Sequence, residues 1–473
     1  MLDKLDDLPY DETNPQSIEN YGKKMIGKTF LQICEEDDKH VVDNQFDYEK
    51  SHENRKRKGG LGEVIEERFF HYKANSDSRA DFDKAGVELK VSPYKVNKNK
   101  TVSAKERLVL SMIDYHQVIH ETFENSHMWK KSKSILLVYY LYEKEKERLN
   151  YKIDYVKLFT PPEKDIQVIK NDFEIIVNKI RAGKAHELSE GDTMYLGAVT
   201  KSSDSSKRRS QPNSDILAKP RAFAFKNSYM TYVLNEYIRK GNETCESIMS
   251  NQEGNLQDYI MSKIDRYHNA TIDELCRTFD VYYEKKPKNL EATLIYRILG
   301  IKGNKAEEFV KANIVVKTIR IGNNNKIKEH MSFPHIIFKD FAKETWDDST
   351  FGNYLRETKF LFVVYKYDSH NVLHLKGCQF WNIPYKDLEE DVKKVWLLTQ
   401  KIVKEGPEIE YKNGKRCNNF PKQSVNRVCH VRPHGKNAED TCELPNGNYF
   451  TKQCFWLNNS YILSQLDKKF LDD

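Results

Sequence analysis

Long apolar runs are absent from this chain of 473 residues. No stretch reaches the length needed to cross a bilayer, and the opening residues "MLDKLDDLPYDETNPQ" are acidic and polar where a secretory leader is apolar. These absences predict a soluble, cytoplasmic protein with no membrane partner. Cysteine is sparse, with eight residues and no CxxC pair, so neither a disulfide framework nor an ordinary zinc site is expected. Cys417, Cys429, Cys442 and Cys454 recur at nearly even spacing with His430 and His434 nearby. Half-buried thiols on successive strands are the expected reading. A large charge of one sign is missing too, since the net charge is only +6. The charge that is present is segregated into clusters, "NRKRKGG" at 54–60, "WKKSK" at 129–133 and "SSKRRS" at 205–210. Such clusters suit phosphate neutralisation on nucleic acid, although a charge run by itself is usually solvated surface.

With 38% hydrophobic and 12% aromatic residues the chain can bury a core, and its length favours two or more domains. The pattern is mixed α and β. Helical spacing appears at 61–70, 104–122, 165–181 and 228–240, and strand-like runs are "GVELKVSP", "KSILLVYYLYE" and "RAFAFK". Thr200 to Asp215 reads as a long polar loop, and the polar stretch 239–255 as a domain boundary. Internal repeats sharpen this division. "ILLVYYLY" (135–142) matches "FLFVVYKY" (360–367), "FAFKNSYMTYVL" (223–234) matches "FWLNNSYILSQL" (455–466), and "DFDKAGVELKV" (81–91) lies over "EFVKANIVVKT" (308–318). Two copies of one fold are expected, at 1–240 and 259–473, with a linker at 241–258.

Across Val87 to Val91 the residues alternate, with Val87, Leu89 and Val91 pointing one way and Glu88 and Lys90 the other. Asp81, across the turn containing Gly86, can fold back beside Glu88. Metal-assisted phosphodiester cleavage requires carboxylates for hard divalent cations, and a lysine can stabilise the charge that builds on phosphorus. The trio suits such a site, although the same pattern arises readily on a charged surface.

The segment "KGGLGEVIEERFF…DFDKAGVELK" resembles the MutH-type branch of the PD-D/E-x-K nucleases, which includes a mismatch-repair nicking enzyme and two-copy type II restriction endonucleases that cut at GATC. The resemblance continues through "SH" at 126–127, with Lys131 four residues after the His, and through "KPRAFAFKNSY" at 219–229. It implies two tandem domains, each a central mixed sheet flanked by helices. It further implies metal-binding carboxylates at Asp81 and Glu88, Lys90 as catalytic lysine, Glu66 as a third acidic member, and Mg2+ as cofactor. Lys58 and Lys131 fall where the family places basic residues near DNA, and Thr200 and Lys201 where its recognition loop begins. Arg221, in "KPRAFAFKNSY", is a further DNA-binding candidate. Where the repair enzyme carries a Tyr, this chain has Ala224, which leans toward the restriction-enzyme relatives.

In the second copy Glu308 falls against Asp81, Val315 against Glu88, Lys317 against Lys90 and Ile295 against Glu66. Aliphatic side chains cannot bind a hard cation, so this copy should be unable to cleave. "CHVRPHGKNA" at 429–438 nevertheless resembles the family's recognition segment, with Arg432 and Lys436 available for DNA. The expected protein is a Mg2+-dependent type II restriction endonuclease that cuts double-stranded DNA at a short palindrome, GATC, on the 5′ side of the G. Its second copy would act as an allosteric effector, and it would work as a homodimer on DNA. A cognate DNA methyltransferase would belong to the same system without being a physical partner. The alternatives are a partner-activated repair nickase and a non-catalytic DNA-binding regulator.

Overall fold

Ile135 to Tyr140 are all buried, as befits an apolar run that lies inside a sheet with both faces covered. In the computed structural model this run is a central strand of the first of two units. The described residues are 8–37, 53, 60–72, 79–97, 99–202, 204, 206–239, 246–249, 254–412 and 415–471. The first unit comprises Met1–His186 and Thr193–Thr244, the second Glu187–Asp192 and Cys245–Asp473. Among the described residues no helix is long and apolar enough to cross a membrane.

The strands of the first unit are β1 (Glu88–Val96), β2 (Val102–Ala104), β3 (Leu108–Met112), β4 (Ile135–Leu141), β5 (Ile153–Phe159), β6 (Leu196–Thr200), β7 (Arg209–Gln211), β8 (Ser214–Ala218) and β9 (Arg221–Phe225). A mixed sheet runs β2-β1-β4-β5, with β1 and β4 parallel and the other pairs antiparallel. An antiparallel sheet runs β3-β9-β6, and β7 and β8 form a two-stranded ribbon. The helix Glu163–Arg181 buries Ile169, Phe173, Ile176 and Ile180, with Phe173 stacked on Phe223 of β9.

Two expectations are corrected. The segment 104–122 contains β3 and only a short helix, Tyr115–Val118. Leu108 and Leu110 are buried in alternation with Val109 and Ser111, and the ladder to β9 (Leu108↔Phe225, Met112↔Ala222) prevails over helical spacing. The stretch Thr200–Asp215 is not loop throughout, since it includes β7 and the start of β8.

The second unit contains β10 (Ile314–Ile321), β11 (Met331–His335), β12 (Lys359–Tyr367), β13 (Leu373–Trp381), β14 (Ile409–Lys412), β15 (Lys415–Asn418), β16 (Cys429–Pro433), β17 (Thr441–Glu443), β18 (Tyr449–Thr451) and β19 (Gln453–Leu457). Its sheets β10-β12-β13 and β11-β19-β16 repeat the pairing of the first unit: parallel β10 and β12, then antiparallel neighbours. Both units are therefore mixed α+β, each with a central sheet flanked by helices. Part of the expected linker 241–258 lies outside the described residues, and its last residues form the start of the helix Leu256–Asp265, capped by Asn255. Cys417, Cys429, Cys442 and Cys454 occupy four separate strands, Cys429 and Cys454 buried and the other two half-buried.

One buried carboxylate fixes where β6 begins. Asp172, fully buried on the long helix, accepts the backbone N–H groups of Met194, Tyr195 and Leu196 at 2.8, 2.6 and 2.9 Å. This anchor delivers the strand that ends at Thr200. Asp172→Ala would leave three buried donors without an acceptor and should cost about 3 kcal/mol or more. Urea unfolding of the full chain should show a lowered midpoint, and an unchanged midpoint would refute the anchoring role.

Candidate active site

Backbone pairing brings Asp81 to Glu88. Phe82 N–H donates to Val87 O (2.9 Å) and Val87 N–H to Phe82 O (3.2 Å). Between them Gly86 takes φ +65°, a conformation that a Cβ would strain. The tight turn sends Asp81 back along β1, where its Oδ2 accepts the Leu89 N–H at 2.8 Å. Glu88 opens β1 and is 2% exposed. Its Oε1 receives Lys90 Nζ at 2.6 Å and Lys131 Nζ at 3.5 Å, whereas its buried Oε2 has no hydrogen-bond partner. Lys131 comes from the helix His127–Ser132, whose first turn is capped by Ser126 accepting the Trp129 N–H at 3.1 Å.

Glu66 lies in a π-helical turn, Ile65–Phe69, that continues the short helix Gly60–Val64. Burial first, and the charge of Asp81 second, push its carboxyl up to about 7 against the pull of Lys90. Burial and Glu88 likewise raise Asp81, with the Leu89 N–H, Lys90 and Lys131 opposing. Glu66, Asp81, Glu88, Lys90 and Lys131 thus share one electrostatic neighbourhood, and its carboxylates repel one another. As they lie, they do not close into a finished ligand set: among the described residues no group of three or more His, Cys, Asp or Glu is arranged to hold a metal. The donor chemistry nonetheless suits a hard cation, because Glu88 Oε2 lacks a partner and Glu66 and Asp81 are raised by burial and then by neighbouring carboxylates.

Tyr72 belongs to this neighbourhood and no motif pointed to it. Its N–H donates to Glu66 O at 3.0 Å, its ring meets Phe82 edge-on, and its buried hydroxyl has no partner. Burial, then Asp81 and Glu66, hold that phenol well above its ordinary range. A lone Tyr beyond "RFFH" carries no periodic or spacing signal, so only the folded geometry reveals it. A cleft of about 620 Å³ opens beside Lys90 and Lys131, passes Glu121, His127 and Asp114, and reaches Lys201. Glu121 and His127 lie 2.8 Å apart, Oε1 to Nδ1.

The remaining predicted residues are distributed as follows. Thr200 ends β6, exposed, and Lys201 N–H donates to Pro220 O at 3.0 Å. Arg221 is 3% exposed and its Nη1 donates to Ala198 O at 2.7 Å, so its guanidinium braces β6 from inside and faces no solvent cleft. Lys58 lies outside the described residues. Arg432 and Lys436 are exposed in the second unit.

The ladder of the second unit places Val315 and Lys317 opposite Phe360 and Phe362, as Glu88 and Lys90 lie opposite Ile135 and Leu137. Glu308 sits on the helix Glu307–Ala312, and its carboxylate accepts Ser247 Oγ, Ile248 N–H and Met249 N–H at 2.6, 3.0 and 3.1 Å. Burial holds the Lys317 amine below its ordinary range.

Comparison with known proteins agrees with this architecture. Residues 70–172, which contain Asp81, Glu88, Lys90 and Lys131, match the family model of the DNA mismatch repair enzyme MutH. The chain is 36% identical to the type II restriction enzyme Sau3AI of Staphylococcus aureus, over 96% of this chain and 98% of that protein. It is 26% identical to the DNA mismatch repair protein MutH of Vibrio campbellii, over 40% of this chain and 84% of that protein. A match along nearly the whole chain, in a chain that also carries a buried acidic site beside a cleft, means that this protein belongs to the MutH-like restriction nuclease family of Sau3AI and is a type II site-specific deoxyribonuclease.

Proposed function

We propose that the protein is a Mg2+-dependent endonuclease that cleaves both strands of duplex DNA at GATC, 5′ of the G, with the first copy (1–240) catalytic and the second copy (259–473) a cleavage-dead, DNA-binding effector. The observation that carries the catalytic part is Glu88, buried with one oxygen unpartnered, among acids that repel it and lysines that only partly neutralise them. Glu88 and Asp81, with Glu66, would hold the cation, which supplies water activation and charge neutralisation at phosphorus. Lys90 and Lys131 present their ammonium groups beside Glu88, where they can hold a scissile phosphate and stabilise the charge that develops on it. The cleft leading to Lys201 offers a path for the duplex, and Thr200 and Lys201 stand where base edges would be read. The GATC target follows from the sequence resemblance alone.

The effector part is supported by Val315 and Ile295 in the places of Glu88 and Glu66, and by Glu308 being engaged in holding 247–249. A single intact centre per chain and a palindromic target favour a DNA-bound homodimer. A repair-type nickase is the weaker reading, because the resemblance to the mismatch-repair relative covers only 40% of the chain.

Purified protein should cut GATC-containing plasmid with Mg2+ and leave it intact with EDTA. Glu88→Ala should reduce cleavage by at least about a thousandfold while leaving duplex affinity within about threefold; binding without cleavage by the parent enzyme would sink the catalytic reading. Cleavage of a one-site plasmid should be stimulated by short specific duplex added in trans, and equal rates on one-site and two-site DNA at every enzyme concentration would remove the effector role.

The raised Glu66 gives a pH signature without turnover. A carboxyl raised from 4.5 to about 7 on folding favours the folded state fully below the unfolded value, and that contribution is lost as pH rises through 7. In EDTA at pH 8, Glu66→Gln should therefore be more stable than the parent by about 2 kcal/mol, allowing for screening of a partly exposed group. The gap should close near pH 4.5, and Mg2+ should narrow it at pH 8. A pH-independent gap in melting temperature would contradict the assignment.

A further inference from the structure

Surface arginines are commonly held in place by carboxylates. Arg432 on β16 is held differently. Its guanidinium carbon stands 3.9 Å from the ring centre of Trp456 on β19, and among the described residues no carboxylate pairs with it. The side chain is exposed while Trp456 is half-buried, so the guanidinium caps the indole on the solvent side. The contact holds the guanidinium over the indole and leaves its five N–H donors uncommitted.

The platform is itself braced. His430 lies nearly parallel to Trp456 at 6.5 Å and 15°, and His434 meets the indole edge-on at 5.2 Å. His430 is buried with Nδ1 2.6 Å from Asn458 Oδ1, and His330, 4.8 Å from His430, accepts the Asn459 N–H at Nδ1 (3.0 Å). Burial lowers both imidazoles, and the charge of Arg432 lowers them further.

The sheet register shows what this cluster replaces. Trp456 pairs with Ser332 and His430; the equivalent position of the first unit, Ala224, pairs with Val109 and Gly197. Val109 lines the open cleft of the first unit. Where the first unit has Val109, Ala224 and Gly197 side by side in its ladder, the second carries an indole bearing a guanidinium. A phosphate can be met by a mobile lysine such as Lys436. Holding the plane of a guanidinium matters for a planar edge with two acceptors.

We propose that Trp456 is a positioning residue that pre-orients Arg432 to donate two hydrogen bonds to O6 and N7 of a guanine in the major groove of a duplex bound to the second unit. This rests on the reading of the second unit as a DNA-binding effector and names how that unit reads sequence.

The test uses full-length Glu88→Ala protein, which keeps both units, titrated calorimetrically with a short GATC duplex in Mg2+. Two binding steps are expected. Arg432→Met should weaken one of them about 10- to 100-fold, and replacing guanine by 7-deazaguanine, which lacks N7, should weaken that step similarly. The two losses should not add. Trp456→Leu should weaken the same step about fivefold and add nothing to Arg432→Met, whereas Trp456→Phe should retain most of the affinity. Circular dichroism melting checks that each variant folds.

A step indifferent to Arg432→Met or to 7-deazaguanine overturns the inference while leaving the effector reading in place. So does an equal loss on scrambled duplex with a salt slope reduced by about one, which marks a phosphate contact. A single duplex bound per chain overturns the effector reading and the inference with it.

Discussion

The site depends on a buried carboxylate whose lysine partners reach only one of its two oxygens. Glu88 sits at the first residue of β1, where parallel pairing with β4 carries it into an apolar layer, and water cannot solvate its second oxygen. Such a group is costly unless a cation accompanies it. Lys90 and Lys131 supply part of that compensation at Oε1, and Oε2 is left buried without a partner. The rest of the first unit serves this arrangement: the Phe82–Val87 bridge aims Asp81, the π-helical turn presents Glu66, and Asp172 sets the start of the strand that leads to Thr200.

The second unit shows that the scaffold and the charges are separable. Its ladders repeat those of the first unit residue for residue around β10 and β12, yet the position of Glu88 is Val315. With valine in the place of Glu88, the equivalent lysine, Lys317, is left with its ammonium form disfavoured by burial. Glu308 keeps a carboxylate but directs it to backbone donors at 248 and 249, turning a site residue into a structural clamp. A fold held by apolar ladders tolerates this exchange, since replacing a buried carboxylate by valine removes its desolvation cost even though the lysine stays.

Much of this was legible in residue order. The alternation at 87–91, the buried run at 135–141 and the repeats locate the sheets because strand periodicity and burial are local properties. The helix expected across 104–122 fails for the complementary reason: β3 exists because β9, more than a hundred residues later, offers it a ladder. Arg221 was grouped with the DNA-binding residues on the motif around it, and only the folded chain turns it inward onto Ala198. Tyr72 and Trp456 carry no local signal: the turn that carries Asp81 and Phe82 brings them to Tyr72, and a neighbouring strand brings Arg432 to Trp456.

By itself, the amino-acid sequence determined which residue types are available: one complete acidic set with its lysine, one depleted copy, and the strands that bear them. The tertiary structure alone decided which oxygen of Glu88 is left without a partner, that Glu66 and Asp81 are raised, and that an arginine in the second unit rests on an indole. The division is physical. Periodicity and composition act along the chain, whereas desolvation, repulsion and stacking act through space between groups that the chain connects only at long range.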